Sequence, residues 1–341
     1  NCYARLGRNE EAEQFFLDAL SSYRRINDSV GESYALNNLG LFHKNACRWG
    51  RSLQFLNRAL EICEEVGLTQ HRVRVTLNLG IVHLKTRAFA NAESCFTTAR
   101  GMASRLGDDL KYTKATLMLG LKEIRTGNLV AAEKHLLEAR VLAERRSYMR
   151  EMALADEFLG DLMVEKGDLT GALENYTHAL SQAKKVSAVN DVVAEVLRRM
   201  MNIYLLQRKP DEVISISKNA IDACVKAGEL HEIGFVERIL GQGYALAKND
   251  DEAEKQINKS IRTFLSVNNP YEAHKSGIIL GEQLLKHPGR KAVVMAKKLV
   301  GETLAFFERS EDFVDLAGSH FLLAKMEEIL GNRDECLLHI Y

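Results

Sequence analysis

The chain has 341 residues, of which 46% are hydrophobic and 27% charged, and its 46 Lys and Arg balance 46 Asp and Glu. That balance excludes proteins that work through a large basic surface, as binding to nucleic acid or to an anionic membrane requires. No stretch approaches the roughly 18 apolar residues of a membrane-spanning helix.

Taken in chain order, the elements repeat. Leu-Gly pairs recur at Leu39-Gly40, Leu79-Gly80, Leu119-Gly120, Leu159-Gly160, Leu240-Gly241 and Leu280-Gly281, with Met200-Met201 and Leu323-Ala324 in the same slot. The spacings are 40, 40, 40, 41, 40, 40 and 43 residues, too regular for chance. Twelve places after each pair comes a small residue, Ser52, Ala92, Ala132, Ala172 and Ala253, with Val213 and Val293 departing and Ala12 as an earlier counterpart. Seven further on lies a second one: Ala19, Ala59, Ala99, Ala139, Ala179, Ala220 and Ser260. Between them stands a bulky side chain, Phe16, Leu56, Phe96, Leu136, Tyr176 or Ile257.

Glycine in a first helix and alanine in a second allow two antiparallel helices to cross closely, while Leu and the bulky residue fill the flanks. Each unit therefore reads as a helix hairpin. Gly7, Gly127, Gly167 and Gly331 mark the turn inside a hairpin. Asn27, Gly67, Gly107, Ser147, Ser187, Gly228 and Asn268 close it, largely with residues that tolerate the left-handed conformation past a helix C-terminus. Acidic starts such as Asp211-Glu212 and Asp250-Asp251-Glu252 suit the positive end of a helix dipole. Three prolines, Pro210, Pro270 and Pro288, leave few breaks. The expected units are 1–30 (truncated), 31–70, 71–110, 111–150, 151–190, 191–231, 232–271, 272–313 and 314–341 (truncated), forming one solenoid over 1–341. Unit six departs through Met200-Met201, and in unit eight Val293, Lys297 and Val300 spoil the second helix.

Asn1 falls inside a helical pattern, with no methionine and no signal segment before it, so the chain reads as a piece of a longer protein whose other domains would be its neighbours. The six cysteines, Cys2, Cys47, Cys63, Cys95, Cys224 and Cys336, form no CxxC pair and no zinc spacing. They read as reduced thiols of a cytoplasmic protein, mostly buried.

Catalytic constellations are not found, and the reading is of a non-enzyme that needs no cofactor or metal. His231-Glu232 opens like a zinc-protease helix, but Phe235 stands where the second histidine is needed. Gly241-Gln242-Gly243 has no strand before it, as a dinucleotide loop requires, and Gly241 already belongs to the repeat. His43 and His83 occupy a slot suited to core packing. The doublets Arg145-Arg146, Lys184-Lys185 and Lys297-Lys298 read as solvated outer surface.

The Leu-Gly, Ala and bulky positions together resemble the tetratricopeptide family in its long-helix form, over essentially the whole chain. The resemblance implies an all-α, right-handed solenoid of antiparallel helix pairs whose first helices line a concave groove where partner peptides lie. It also places the groove-facing slots six, three and two residues before the glycine and one, four and five after it. These slots give Tyr34, Asn37, Asn38, Leu41, Lys44 and Asn45 in unit two, then Arg74, Leu77, Asn78, Ile81, Leu84 and Lys85 in unit three. Unit four supplies Lys114, Leu117, Met118, Leu121, Ile124 and Arg125. The groove would have an apolar floor and basic edges. Asn38 and Asn78 match a family position that hydrogen-bonds a bound peptide's backbone; alternatively, these amides bridge neighbouring helices.

Unit five changes sign. Glu157, Asp161 and Glu165 stack on one helical face and repel, so either Arg198 and Arg199 of the next unit or a basic partner segment compensates them. Asn202 completes the candidate groove residues. Segments such as ALNNLG and EKGDLTGALENYTHAL resemble repeat regions of large bacterial signalling proteins, among them sigma-54-dependent transcription regulators. That likeness implies a protein-binding regulatory module, and the groove's apolar floor and basic edges imply a partner segment rich in acidic and apolar residues. The alternatives are a sensor of a small signal peptide or metabolite, which solenoids suit because small rotations accumulate, and an RNA binder, against which the zero net charge and few groove aromatics argue.

Overall fold

The computed structural model describes every residue except 1–8, 47, 187–190, 268, 287–288, 311–312 and 340–341. Among the described residues there is no strand, and the helices follow one another with short turns. They are α1 (Asn9–Arg25), α2 (Ser29–Asn45), α3 (Trp49–Val66), α4 (Thr69–Lys85), α5 (Phe89–Leu106), α6 (Asp109–Arg125), α7 (Leu129–Arg145), α8 (Met149–Glu165) and α9 (Leu169–Val186). Then come α10 (Asp191–Leu206), α11 (Pro210–Ala227), α12 (Leu230–Leu246), α13 (Asp250–Ser266), α14 (Pro270–Leu284), α15 (Arg290–Ser310), α16 (Phe313–Leu330) and α17 (Arg333–Leu338). The chain divides into two compact units, Asn1–Val196 with Lys226–Gly228, and Leu197–Val225 with Glu229–Tyr341.

Local sequence explains each helix and its ends. In α5, Ala92, Phe96, Ala99, Met102 and Ala103 are buried while Glu93, Ser94, Thr97 and Thr98 are exposed, the three-and-four spacing of an amphipathic helix. The side chains of Asp28, Asp108, Asn128, Asn249 and Asn269 each accept a hydrogen bond from a first-turn amide, a cap of about 1 kcal/mol. The turn residues expected to be left-handed are so: Asn27, Gly67, Gly107, Ser147 and Gly228 close hairpins, and Gly127, Gly167 and Gly331 lie within them. Arg87, Arg208 and Lys248 hold the same positive φ in the glycine's place. Of the positions singled out from the sequence, Asn1, Cys2, Gly7, Cys47, Ser187, Asn268 and Pro288 lie outside the described residues.

Within the first unit the helices pack consecutively, from α1 on α2 to α8 on α9, and the first helices of successive pairs also touch, α2 on α4, α4 on α6 and α6 on α8. Two hydrogen bonds fix the antiparallel sense of α2 and α3: Ser52 Oγ donates to the Gly40 carbonyl at 2.7 Å and Ser33 Oγ to the Ala59 carbonyl at 3.1 Å. The second unit repeats the arrangement from α12 on α13 through to α16 on α17. Ser260 Oγ, on α13, donates to the Gly234 carbonyl of α12 at 2.8 Å.

The repeat glycines do more than allow a close crossing. The bulky residue sixteen places on lies directly over each one, rather than beside it: a Cβ on Gly40 would fall 2.5 Å from Leu56, on Gly80 2.5 Å from Phe96, on Gly160 2.4 Å from Tyr176 and on Gly241 2.6 Å from Ile257. Unit six inverts the sizes, with Met201 fully buried in the glycine slot and the small, buried Ser217 in the bulky one. The expectation of a spoiled second helix in unit eight is corrected. α15 has 21 residues, and Val300, nineteen residues after Gly281, takes the bulky role with its Cγ2 2.6 Å from where a glycine Cβ would be. Ala296 and Thr303 are fully buried on the same face, so the helix packs about one turn further along. Lys297 is left free to pair with Glu327.

Candidate functional site

In the first unit, the groove candidates sit on α2, α4, α6 and α8. Asn38, Arg74, Lys85, Arg125 and Glu165 are exposed, and Lys44, Asn78, Lys114 and Asp161 are half-buried. Asn37 and Glu157, expected to face a partner, lie in the interior, 2% and 0% exposed. At these two positions the side chain is turned into the interior rather than toward solvent.

Several of these residues engage one another. Asn78 Nδ2 donates to Asn37 Oδ1 at 2.8 Å, so at this pair the bridging alternative holds. Tyr34 stacks on His71 with centroids 3.9 Å apart, and Arg74 lies 6.0 Å from the Tyr34 ring. Lys114 pairs with Glu151 at 3.4 Å. In the acidic row of α8, the Tyr176 hydroxyl donates to Asp161 Oδ1 at 2.7 Å, a partner from the same hairpin that the sequence reading did not consider. At the start of α8, Arg150 donates to both oxygens of Asp191, at 2.6 and 2.8 Å. Burial raises the Asp191 pKa, but those two bonds outweigh it and hold the carboxyl below its ordinary range.

In the second unit the groove slots line a cavity. A cavity of about 400 Å³ is lined by Arg198 and Asn202 of α10, Phe235, Arg238, Ile239 and Gln242 of α12, and Lys275, Ile278 and Ile279 of α14. Every one occupies a groove slot counted from Met201, Gly241 or Gly281. Arg198 and Asn202 were among the expected residues. The other seven could have been found by carrying the same slots through units seven and eight.

Its arginines are fixed from behind. Arg198 Nε donates to Glu232, and Arg238 Nη1 donates to Glu272 Oε2 at 2.7 Å. Both guanidiniums lie against the Phe235 ring, at 5.2 and 5.0 Å from its centroid, and Arg238 is also 5.5 Å from that of Phe264. Such cation–π contacts hold a guanidinium plane in place. The compensation expected from Arg198 toward the acidic row thus gives way to a bond with Glu232.

The remaining motifs are absorbed by packing. His231 packs edge-on against Phe235 with centroids 5.5 Å apart, and Gly241 and Gly243 lie inside α12. His43 is buried and stacked on Phe55 at 5.2 Å. Arg145, Lys184 and Lys185 are exposed. Cys63, Cys95, Cys224 and Cys336 are free thiols, and burial pushes Cys224 up to about 12. Among the described residues, no three His, Cys, Asp or Glu side chains come together as metal ligands, and no helix is long and apolar enough to cross a membrane.

The fold and its groove define an α-solenoid of the tetratricopeptide kind. A model of the tetratricopeptide repeat family matches residues 1–65 and 31–105. No curated protein sequence matches the chain. Among solved structures, a signal transduction ATPase with numerous domains and a tetratricopeptide repeat sensor, from Pyrococcus horikoshii, is 16% identical with a TM-score of 0.65. It is covered over 52% of its length by 100% of this chain, which therefore spans about half of that protein. The apo form of the quorum sensor NprR from B. thuringiensis is 14% identical with a TM-score of 0.64, covering 100% of this chain and 98% of that one. A Rap protein complexed with competence and sporulation factor is 12% identical with a TM-score of 0.62, covering 89% of this chain and 77% of that one. These likenesses concern the fold.

Proposed function

We propose that the chain is a binding module that holds a peptide or protein segment in its groove, within a larger bacterial signalling or transcription regulator of the cytoplasm. The observation that carries this is the cavity of the second unit, whose nine lining side chains all fall on the groove slots of three successive first helices. A surface built by repetition suits an extended chain. The cavity lining offers Arg198, Asn202, Arg238, Gln242 and Lys275 for main-chain groups and Phe235, Ile239, Ile278 and Ile279 for side chains. The cavity volume falls in the range of small-ligand sites. The structural likeness to a tetratricopeptide sensor, a quorum sensor and a Rap protein in complex with a signalling factor supports the same reading.

The sensor reading is the second one, favoured by those same likenesses. The two separate on one experiment, titration of short peptide pools followed by fluorescence anisotropy and small-angle scattering in parallel. Binding with an unchanged scattering profile supports a holding module; binding with a changed radius of gyration supports a sensor. An absence of binding by peptides of every composition would sink both.

A further inference from the structure

Arg198 and Arg238 hold the same slot on α10 and α12, three residues before Met201 and Gly241. A guanidinium has five N–H groups in a planar fork. Arg198 uses Nε on Glu232 and Arg238 uses Nη1 on Glu272, while the Phe235 ring supports both planes. Glu232 is buried and Glu272 mostly so, and neither lines the cavity. They act as positioning residues, leaving the other N–H groups of both arginines for the cavity. The lining itself has three cationic side chains and no carboxylate, with Ile239, Ile278 and Ile279 as an apolar wall.

We infer that this cavity selects an Asp or Glu side chain on an aliphatic peptide segment, the carboxylate bound between Arg198 and Arg238 and the neighbouring aliphatic side chains against the three isoleucines. Carboxylates accept paired N–H bonds from a guanidinium with matching geometry. The apolar wall makes a peptide a better fit than a free inorganic anion, and a basic residue would meet like charge. This specificity rests on the binding role proposed above.

The test uses the full chain and three pools of fluorescein-labelled, end-blocked octapeptides of Leu, Ile, Val and Gly, carrying Glu, Gln or Lys at one fixed position. The Glu pool is expected to bind about tenfold more tightly than the Gln pool, the worth of one charge-assisted hydrogen bond, and the gap should narrow as salt rises. Arg238→Gln should abolish the preference. Because it also removes the partner of Glu272, Gln242→Glu serves as the companion variant. It places a carboxylate in the lining without stranding a charge, and should weaken the Glu pool and strengthen the Lys pool. Equal binding of the Glu and Gln pools, or a preference surviving both variants, overturns this inference and leaves the binding role standing. Failure of all three pools, with peptides of other compositions bound, also overturns it; failure of peptides of every composition removes both.

Discussion

Leu136 covers Gly120 so closely that a Cβ on the glycine would lie 2.6 Å from the leucine Cδ2. Gly120→Ala is therefore expected to cost about 1–3 kcal/mol through overpacking, and Gly120→Leu several, by urea denaturation. Truncation of the overlying side chain should relieve part of the first loss, so Gly120→Ala with Leu136→Ala should be less destabilised than the sum of the two single changes. Strict additivity would show that the two residues do not share the crossing.

Met201 and Ser217, both buried, occupy the glycine and bulky slots of unit six with the sizes exchanged. Met201→Gly should open a cavity and cost about 2–5 kcal/mol, as large-to-small changes in a core do. Adding Ser217→Leu rebuilds the arrangement of the other hairpins and should restore much of the loss in thermal melting. A double variant as unstable as Met201→Gly alone would rule out the exchange.

Asn78 donates to Asn37, which is 2% exposed, so its amide serves stability as well as any partner. Asn78→Ala leaves a buried acceptor unmet and should cost about 1–3 kcal/mol. Arg74 is exposed and only grazes the Tyr34 ring, and Arg74→Ala should change stability by less than about 1 kcal/mol. Chemical denaturation of both variants decides between these roles. An unchanged midpoint for Asn78→Ala would return that amide to the groove alone.

The solenoid was legible because its strongest constraint is local in sequence: Gly40, Gly80, Gly120, Gly160 and Gly241 are each answered by a bulky residue sixteen places on, and both recur at a period near forty residues. What was not legible depends on three-dimensional offsets smaller than the repeat. The departures at Val293, Lys297 and Val300 are visible in the sequence, but they do not say that α15 is displaced by one turn, which moves the bulky role from Lys297 to Val300. Slot counting named two of the nine cavity residues, Arg198 and Asn202, and it grouped Asn38, which is exposed, with its neighbour Asn37, which is buried, although adjacent helical positions differ by about 100° of rotation. Nor does charge pattern reveal a hydroxyl partner such as Tyr176, whose slot is otherwise a packing position.

Acid should loosen the first unit. Burial pushes the His71 pKa below its ordinary 6.5, with the Ser33 carbonyl opposing and Arg74 reinforcing the fall. Burial lowers His43 likewise, against Glu13 and helped by Arg48 and Arg51. The folded state thus keeps both rings neutral at a pH where the unfolded chain has begun to protonate them. Their contribution is fully present above the unfolded value of about 6.5 and is lost as pH falls through that value toward the lower folded ones. Within that window each group costs up to about 1.4 kcal/mol per pH unit. Denaturant midpoints should accordingly drop between neutral and mildly acidic buffer. His71→Phe, which keeps a ring against Tyr34, should flatten part of that drop while leaving the neutral-pH midpoint little changed. An undiminished pH dependence in this variant would show that His71 is not among the groups that set it.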